Sequence, residues 1–259
     1  MLVKTEAIVL HSIKYGETRI IVDMFTREAG RQSFIVSMPK TQKGRLKKQY
    51  FLPMTLLEIE CDIRQRVQLQ KLKDAHLLTA YTSIFFSPEK LAISLFVAEF
   101  LYHALRSEQQ NVPLFAYISD SMQWLDMAPA DYANFHLTFL MHMSRFLGFY
   151  PNLEVRGERL EVRGQRLEVR GQSVKTDLFF DLRESHFCSV APLHRDFLQP
   201  SEARLIHQLM RMDFPTMHLF QLSHHDRNRI TEVLLHYYRL HIPQFPELKS
   251  LSVLQELWS

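Results

Sequence analysis

Residues 32–58 read QSFIVSMPKTQKGRLKKQYFLPMTLLE. Gln32 to Met38 alternates around Phe34 and Val36, the period-two pattern of a half-buried strand. Pro39 ends it. Lys40, Lys43, Arg45, Lys47 and Lys48 then place five cations in nine residues. From Phe51 to Glu60 a second strand pattern follows, entered through Pro53. No Asp or Glu occurs between Glu28 and Glu58. Two strands joined by an acid-free basic loop make a surface suited to a polyanion.

The residues before and after extend the same pattern. Leu2 to Leu10 starts a strand, and Tyr15-Gly-Glu-Thr18 is a turn signal. Thr18 to Phe25 is β-branched and long enough for the next strand. Arg27-Glu-Ala-Gly-Arg31 is a tight connection in which Gly30 is free to take positive φ. Arg64-Gln-Arg-Val67 leads into a fifth strand. Five strands with almost no helix between them predict a small closed barrel, because closure removes exposed edges. Charge follows this division. Residues 1–78 hold 14 Lys/Arg and 8 Asp/Glu, a net +6, and the remaining 17 Lys/Arg and 20 Asp/Glu give −3. Asymmetry of this kind points to a polyanion site in one domain.

The period changes near residue 80. Pro88 to Arg106 is apolar on nearly every side, as a helix at the centre of a bundle would be. Further helices are predicted over Val112 to Met127, Ala130 to Phe149, Ser201 to Asp213 and Ser223 to His241, with a short one within Pro246 to Trp258. The fold class is therefore α+β. An N-terminal five-stranded oligonucleotide-binding (OB) barrel, residues 1–79, precedes an α-helical domain, residues 80–259. Residues 153–173 interrupt this rhythm with LEVRGER-LEVRGQR-LEVRGQS, three tandem copies of seven residues. A coiled coil is rejected, because Gly157, Gly164 and Gly171 would each cost a helix ~1 kcal/mol relative to Ala. The expectation is an exposed insertion, mostly disordered or a frayed hairpin. Phosphate contacts by Arg156, Arg159, Arg163, Arg166 and Arg170 are opposed by Glu154, Glu158, Glu161 and Glu168 in the same repeats.

Little points to catalysis. Neither G-x-x-x-x-G-K-[ST] nor G-x-G-x-x-G is present, and the chain has only seven glycines from which to build such loops. No nucleophile elbow is recognisable. Glu58 and Glu60 share a strand face and suit Mg²⁺ in principle, but a solvated face explains them better. Of thirteen histidines, His186 and His194 flank Cys188, and His224 adjoins His225; none matches a four-ligand zinc pattern. The two cysteines, Cys61 and Cys188, lack CxxC partners and read as reduced thiols. No signal peptide or membrane-spanning run is legible, so the expected location is the cytoplasm, with no membrane partner.

The basic loop is the stronger signal. In an OB barrel, loops of this kind flank the ligand face. Lys14, Arg19 and Arg31 (with Arg27) extend the same field if their strands face that side. Tyr15 and Tyr50 border turns and are candidate exposed stacking rings, whereas Phe34 alternates with core positions.

These residues carry a family resemblance. Ala7-Ile-Val-Leu10, Tyr15-Gly-Glu17, Phe25-Thr-Arg-Glu-Ala-Gly-Arg31 and Leu52-Pro-Met-Thr55 fall in the order and spacing of the bacterial recombination mediator RecO family. The similarity continues more weakly through Pro88 to Arg106 and from Phe139 to Gly148-Phe-Tyr-Pro151. The resemblance implies an OB-fold followed by a helical domain and binding of single- and double-stranded DNA. It implies annealing of complementary strands, and loading of RecA onto DNA coated with single-strand-binding protein, together with RecR. It also implies a site for the acidic C-terminal tail of single-strand-binding protein, for which Arg145, Arg204 and Arg211 are the candidates. Many members carry a four-cysteine zinc element between the middle and late helices. Here the LEVRG repeats and residues 176–188 occupy that place, so no zinc or other cofactor is expected. Met38-Pro39-Lys40 also replaces a basic-Gly turn common after the third strand. The reading is a non-enzymatic, DNA-binding mediator of repair. The alternative is a helical interaction scaffold whose basic β-domain binds an acidic protein.

Overall fold

A computed structural model describes residues 2–38, 46–64, 67–155, 158–163, 166–169, 172–173 and 178–257; the side chains of 154–177 lie outside the described residues. Lys40, Lys43, Arg45, Arg156 and Arg170 also fall outside them.

Five strands form the barrel: β1 Leu2–Tyr15, β2 Arg19–Thr26, β3 Gly30–Ser37, β4 Leu56–Asp62 and β5 Leu69–Leu77. They close in the order β1-β2-β3-β5-β4, antiparallel throughout except for the parallel β3·β5 pair. Alternation sends Ala7, Val9, Val22, Met24, Phe34, Val36, Leu57, Ile59 and Cys61 inward, where they form the barrel core with Phe51 and Ala75. The fourth strand starts later than its sequence suggests. Lys48–Phe51 is a 3-10 turn, Pro53 lacks a donor, and Met54 takes φ 65°. The cause lies on β1, whose register shifts between Val9 and His11. There the Met54 N–H donates to the Val9 carbonyl at 2.7 Å, and the Val9 N–H donates to the Thr55 carbonyl at 3.0 Å.

Packing divides the chain into two units, Met1–Ala130 with Pro246–Ser259, and Asp131–Phe245. The first unit therefore holds more than the barrel. It adds α1 Pro88–Ala104, α2 Val112–Met127 and α6 Ser250–Gln255. Helix α1 is central, as its sequence suggests: Ile93, Phe96, Val97, Phe100 and Leu101 are all inaccessible. Glu99 on α1 accepts from the Lys249 and Ser250 N–H groups at 3.0 and 2.8 Å and so caps α6.

A buried polar clamp ties the β5–α1 connection to the end of α2. Asp126 accepts from the N–H groups of Thr82, Ser83 and Ile84 at 2.8–2.9 Å. The Lys90 ammonium donates to Ser83 Oγ at 2.7 Å and to the carbonyls of Asp126 and Ala128 at 3.0 and 2.6 Å. Burial opposes the charge on Asp126, but the three N–H groups outweigh it and hold the carboxyl below its ordinary range. Burial likewise pulls the Lys90 amine downward, with Asp126 opposing.

The second unit contains α3 Phe135–Phe146, α4 Pro200–Leu209 and α5 His224–His241. Helix α3 is shorter at both ends than its sequence pattern suggests, because Asp131 (φ 64°) and Gly148 (φ 86°) leave the helical region. Ser223 and Asp226 form a reciprocal capping box at the start of α5. The expectation of helices alone beyond residue 80 is corrected by a three-stranded sheet: β10 Phe179–Asp181, β11 His186–Cys188 and β12 Phe197–Leu198, in the order β11-β10-β12. Strands of two or three residues are too short to display a period. The backbone of the repeats makes an antiparallel meander of β6 Glu154–Val155, β7 Glu158–Arg163, β8 Arg166–Val169 and β9 Gln172–Ser173. Among the described residues no helix is long and apolar enough to cross a membrane.

Asp126→Ala is expected to cost about 3–5 kcal/mol in urea unfolding, since it strands three buried N–H groups and the Lys90 charge. His136 on α3 is buried beside Thr231 at 3.1 Å, and burial, with Arg227, pushes its pKa down to about 3. Its unfolded value lies near 6.5. The unfolded chain thus binds the extra proton below 6.5, so stability is full above that pH and falls as pH drops toward 3. His136→Gln should reduce the slope of stability against pH over this window by roughly one proton.

Candidate nucleic-acid interface

The β1–β2 turn and the exit of β3 lie together. The Met38 N–H donates to the Thr18 carbonyl at 2.7 Å, which holds the start of the basic loop against the hairpin tip. Gly16 in that turn takes φ 69°. Tyr15 and Arg19 are cross-strand partners, and the guanidinium lies 5.5 Å from the ring centroid. Tyr15 is 48% accessible, and Lys14 and Arg19 are exposed. On the far side of the loop Lys47 and Lys48 are exposed, while Leu46 packs toward the barrel core. The structure thus brings together Lys14, Tyr15, Arg19 and the β3 exit at Met38, and leaves Lys47 and Lys48 exposed.

Two residues expected there are placed otherwise. Arg31 is nearly enclosed: it pairs with Asp23 at 3.2 Å, donates to the Tyr102 carbonyl at 3.0 Å and lies 4.6 Å from the Tyr102 ring centroid. Its own N–H donates to the Glu108 carbonyl, and a Cβ on neighbouring Gly30 would meet the Gln109 backbone at 2.4 Å. Gly30-Arg31 therefore seats the barrel on the α1–α2 connection. Tyr50 lies in the 3-10 turn, half-buried against the barrel core rather than exposed. Arg27 pairs with Glu6 at 3.0 Å, and Phe34 is wholly buried.

The β4–β5 loop is held by Gln70, which sequence reading missed. Its side chain accepts from the Arg64 N–H and donates to the Arg64 and Val67 carbonyls at 2.7–3.0 Å. Only its place in an otherwise basic, exposed run marked it. Lys4 pairs with Glu58 at 2.9 Å, so the acidic strand face is a solvated ion-pair surface.

In the second unit Arg145 stands in the last turn of α3 and Arg211 follows α4. Arg145 donates to the Tyr150 hydroxyl at 2.7 Å, and that hydroxyl donates to the Met210 carbonyl at 3.4 Å. Burial lowers the pKa of His142 and of His207, helped by Arg145 and Arg211 respectively. Arg204 is exposed on α4. Beside it Leu198, Leu205, Ile206, Leu209, Ile230 and Val233 line an apolar groove, with the Glu202–Arg229 pair at 2.8 Å alongside.

Residues 178–198 do not fit zinc. His194 lies 3.1 Å from Asp181, which also accepts from the Arg183 and Glu184 N–H groups. Asp196 pairs with Arg183 and with His236. These donors satisfy one another, and among the described residues no three His, Cys, Asp or Glu converge on one point.

A closed mixed barrel with a cationic hairpin end, carried on helices, defines a class of protein built around an OB-type module rather than a catalytic cleft. Residues 1–81 match the family Recombination protein O N terminal, and residues 86–252 match Recombination protein O C terminal. DNA repair protein RecO of Phocaeicola vulgatus is 46% identical over 259 residues, covering 100% of both chains. Its namesakes from Bacteroides fragilis and Porphyromonas gingivalis are 45% and 30% identical, again over 100% of both chains. The chain belongs to the RecO family, which comprises non-catalytic recombination mediators.

The placement of the two candidate rings and of Arg31 separates stability from surface. Arg31→Ala is expected to lower unfolding stability by about 1–3 kcal/mol, because the Asp23 carboxylate loses its partner. Tyr15→Ala should leave the melting temperature within about a degree, as exposed substitutions do. Paired thermal melts check both.

Proposed function

We propose that the chain binds DNA at the hairpin end of its barrel and mediates recombinational repair. In this reading it anneals complementary strands and helps RecA load, with RecR, onto DNA coated by single-strand-binding protein. The carrying observation is the Met38–Thr18 hydrogen bond, which joins an acid-free basic loop to the exposed Lys14, Tyr15 and Arg19. Lys40, Lys43, Arg45, Lys47, Lys48, Lys14 and Arg19 neutralise phosphates, and Tyr15 stacks on an unpaired base. Arg31, which seats the barrel on the α1–α2 connection, and Tyr50, half-buried against the barrel core, are assigned no DNA contact in this reading. Two strands held on one cationic surface repel each other less and pair faster.

Residues 1–79 act as the DNA module, and residues 80–259 carry the partner sites. The acidic, aromatic-ended tail of single-strand-binding protein suits the apolar groove on α4 with cations nearby, from Arg204, Arg145 and Arg211. No zinc takes part. The protein works in the cytoplasm on the nucleoid.

The test is reversal of charge at Lys43, Arg45 and Lys47, read by fluorescence anisotropy across salt concentrations. Contact with about 4–6 phosphates of a single strand gives log K against log salt a slope of about −3 to −4. The variant should bind more weakly and with a shallower slope. Unchanged affinity and slope in a folded variant would remove the loop from the interface. Negligible affinity of the natural chain at low salt would favour an acidic protein as the ligand instead.

A further inference from the structure

Residues 107–135 are the electrostatic opposite of the basic tract in the barrel. They hold Glu108, Asp120, Asp126 and Asp131 and no Lys, Arg or His. Helix α2 lies within them, so it carries no cation; the nearest in sequence, Arg106 and His136, are beyond its ends. Its inner face carries Leu114, Ile118, Met122 and Leu125, all buried. Helical spacing puts Pro113, Ala116, Tyr117, Asp120, Trp124 and Met127 on the opposite face. Pro113, Ala116, Asp120 and Met127 are exposed, and the two aromatic residues are partly so.

The stripe ends on a firm apolar step. Met127 is 80% accessible, and Phe86 is 81% accessible. They stand on the two segments that the Asp126 clamp joins. The Phe86 N–H donates to the Ser83 carbonyl at 3.0 Å, and the Ser83 hydroxyl donates to the Asp126 carbonyl. Pro88 and Pro129, close to them in sequence, are exposed as well. Large apolar side chains this accessible, held by buried polar bonds rather than by a loose loop, mark a contact surface. From Pro113 to Met127 the stripe runs about 21 Å, four turns of helix.

We infer that this stripe, with Phe86 at its end, docks a partner protein that presents a basic amphipathic helix. The inference goes beyond the reading above and needs no DNA binding by the barrel. Charge selects the occupant. A nucleic acid or an anionic lipid surface is held by cations, and α2 has none. The acidic tail proposed for the α4 groove is excluded from α2 for the same reason. A helix with an apolar row flanked by Lys or Arg fits both requirements. Its apolar row meets the aromatic and Met side chains, and its cations meet acids spread along the stripe. Asp120 stands midway, and Glu89 lies in the first turn of α1, three residues after Phe86. Glu108 stands at the other end, where its carboxylate accepts from the Asn111 side chain that caps α2.

The experiment titrates the full chain into two labelled peptides of about 18 residues, one with Leu at helical spacing and Lys elsewhere, the other with Glu for each Lys. Anisotropy is expected to show the Lys peptide bound roughly tenfold or more tightly than the Glu peptide, and more weakly as salt rises. Binding should also change an indole emission that Trp124→Phe removes. Asp120→Lys/Met127→Lys should lose roughly tenfold or more of the affinity for the Lys peptide at an unchanged melting temperature, since both positions are exposed. If that variant melts early, Ala116→Lys alone makes the same comparison. Equal binding of the two peptides, or an unaltered preference in the variant, would overturn the inference. Binding of neither peptide overturns it too, and sedimentation velocity then identifies a second copy as the occupant if the natural chain self-associates and the variant does not.

Discussion

The parallel pairing of β3 with β5 is the constraint on which the barrel unit depends. Without it five short strands form an open sheet with two exposed edges. With it, the side chains of the five strands are assigned to the inside or the outside. That assignment sends Val22, Phe34 and Val36 into the core and leaves Ile21 and Ile35 on the surface. It also fixes which ends of strands meet. The β1–β2 turn and the β3 exit share one end, where Lys14 and Arg19 are exposed.

Buried polar groups fix the connections that the apolar core leaves undetermined. Hydrophobic burial is non-directional, so packing alone would not choose one path for residues 78–87. Asp126 and Lys90 choose it, because every alternative leaves buried N–H groups or carbonyls without partners. Gln70 does the same for the β4–β5 loop. In the second unit Asn134 donates to the carbonyls of Met217 and Phe220 at 3.0 and 2.8 Å, which anchors the segment between α4 and α5. Asp181 and Asp196 organise the small sheet in the same manner.

How much was legible in the sequence follows from the range of each signal. Strand alternation and helix periodicity are local, and they located the barrel strands, α1, α2 and α5 within a few residues. Helix ends were less legible where one residue decides them, as Asp131 and Gly148 do for α3. The sheet β10–β12 was illegible because pairs of residues carry no period. Among candidate contacts, Lys14, Tyr15, Arg19, Lys47 and Lys48 were named from charge and turn position, and each is exposed. Arg31 and Tyr50 looked equivalent to them in sequence, and the difference is a distant partner: Asp23 and Tyr102 for one, the barrel core for the other.

The sequence by itself determined an α+β chain, a basic end free of acids and membership of the RecO family, since composition, period and motif order are properties of the linear chain. The tertiary structure alone decided which cations are engaged by partners, which apolar residues are left outside and which segments share a unit. An arginine's partner lies far along the chain, as Glu6 does from Arg27 and Tyr102 from Arg31, and a strand residue's face depends on the register of its neighbours. Neither quantity is written in any local window.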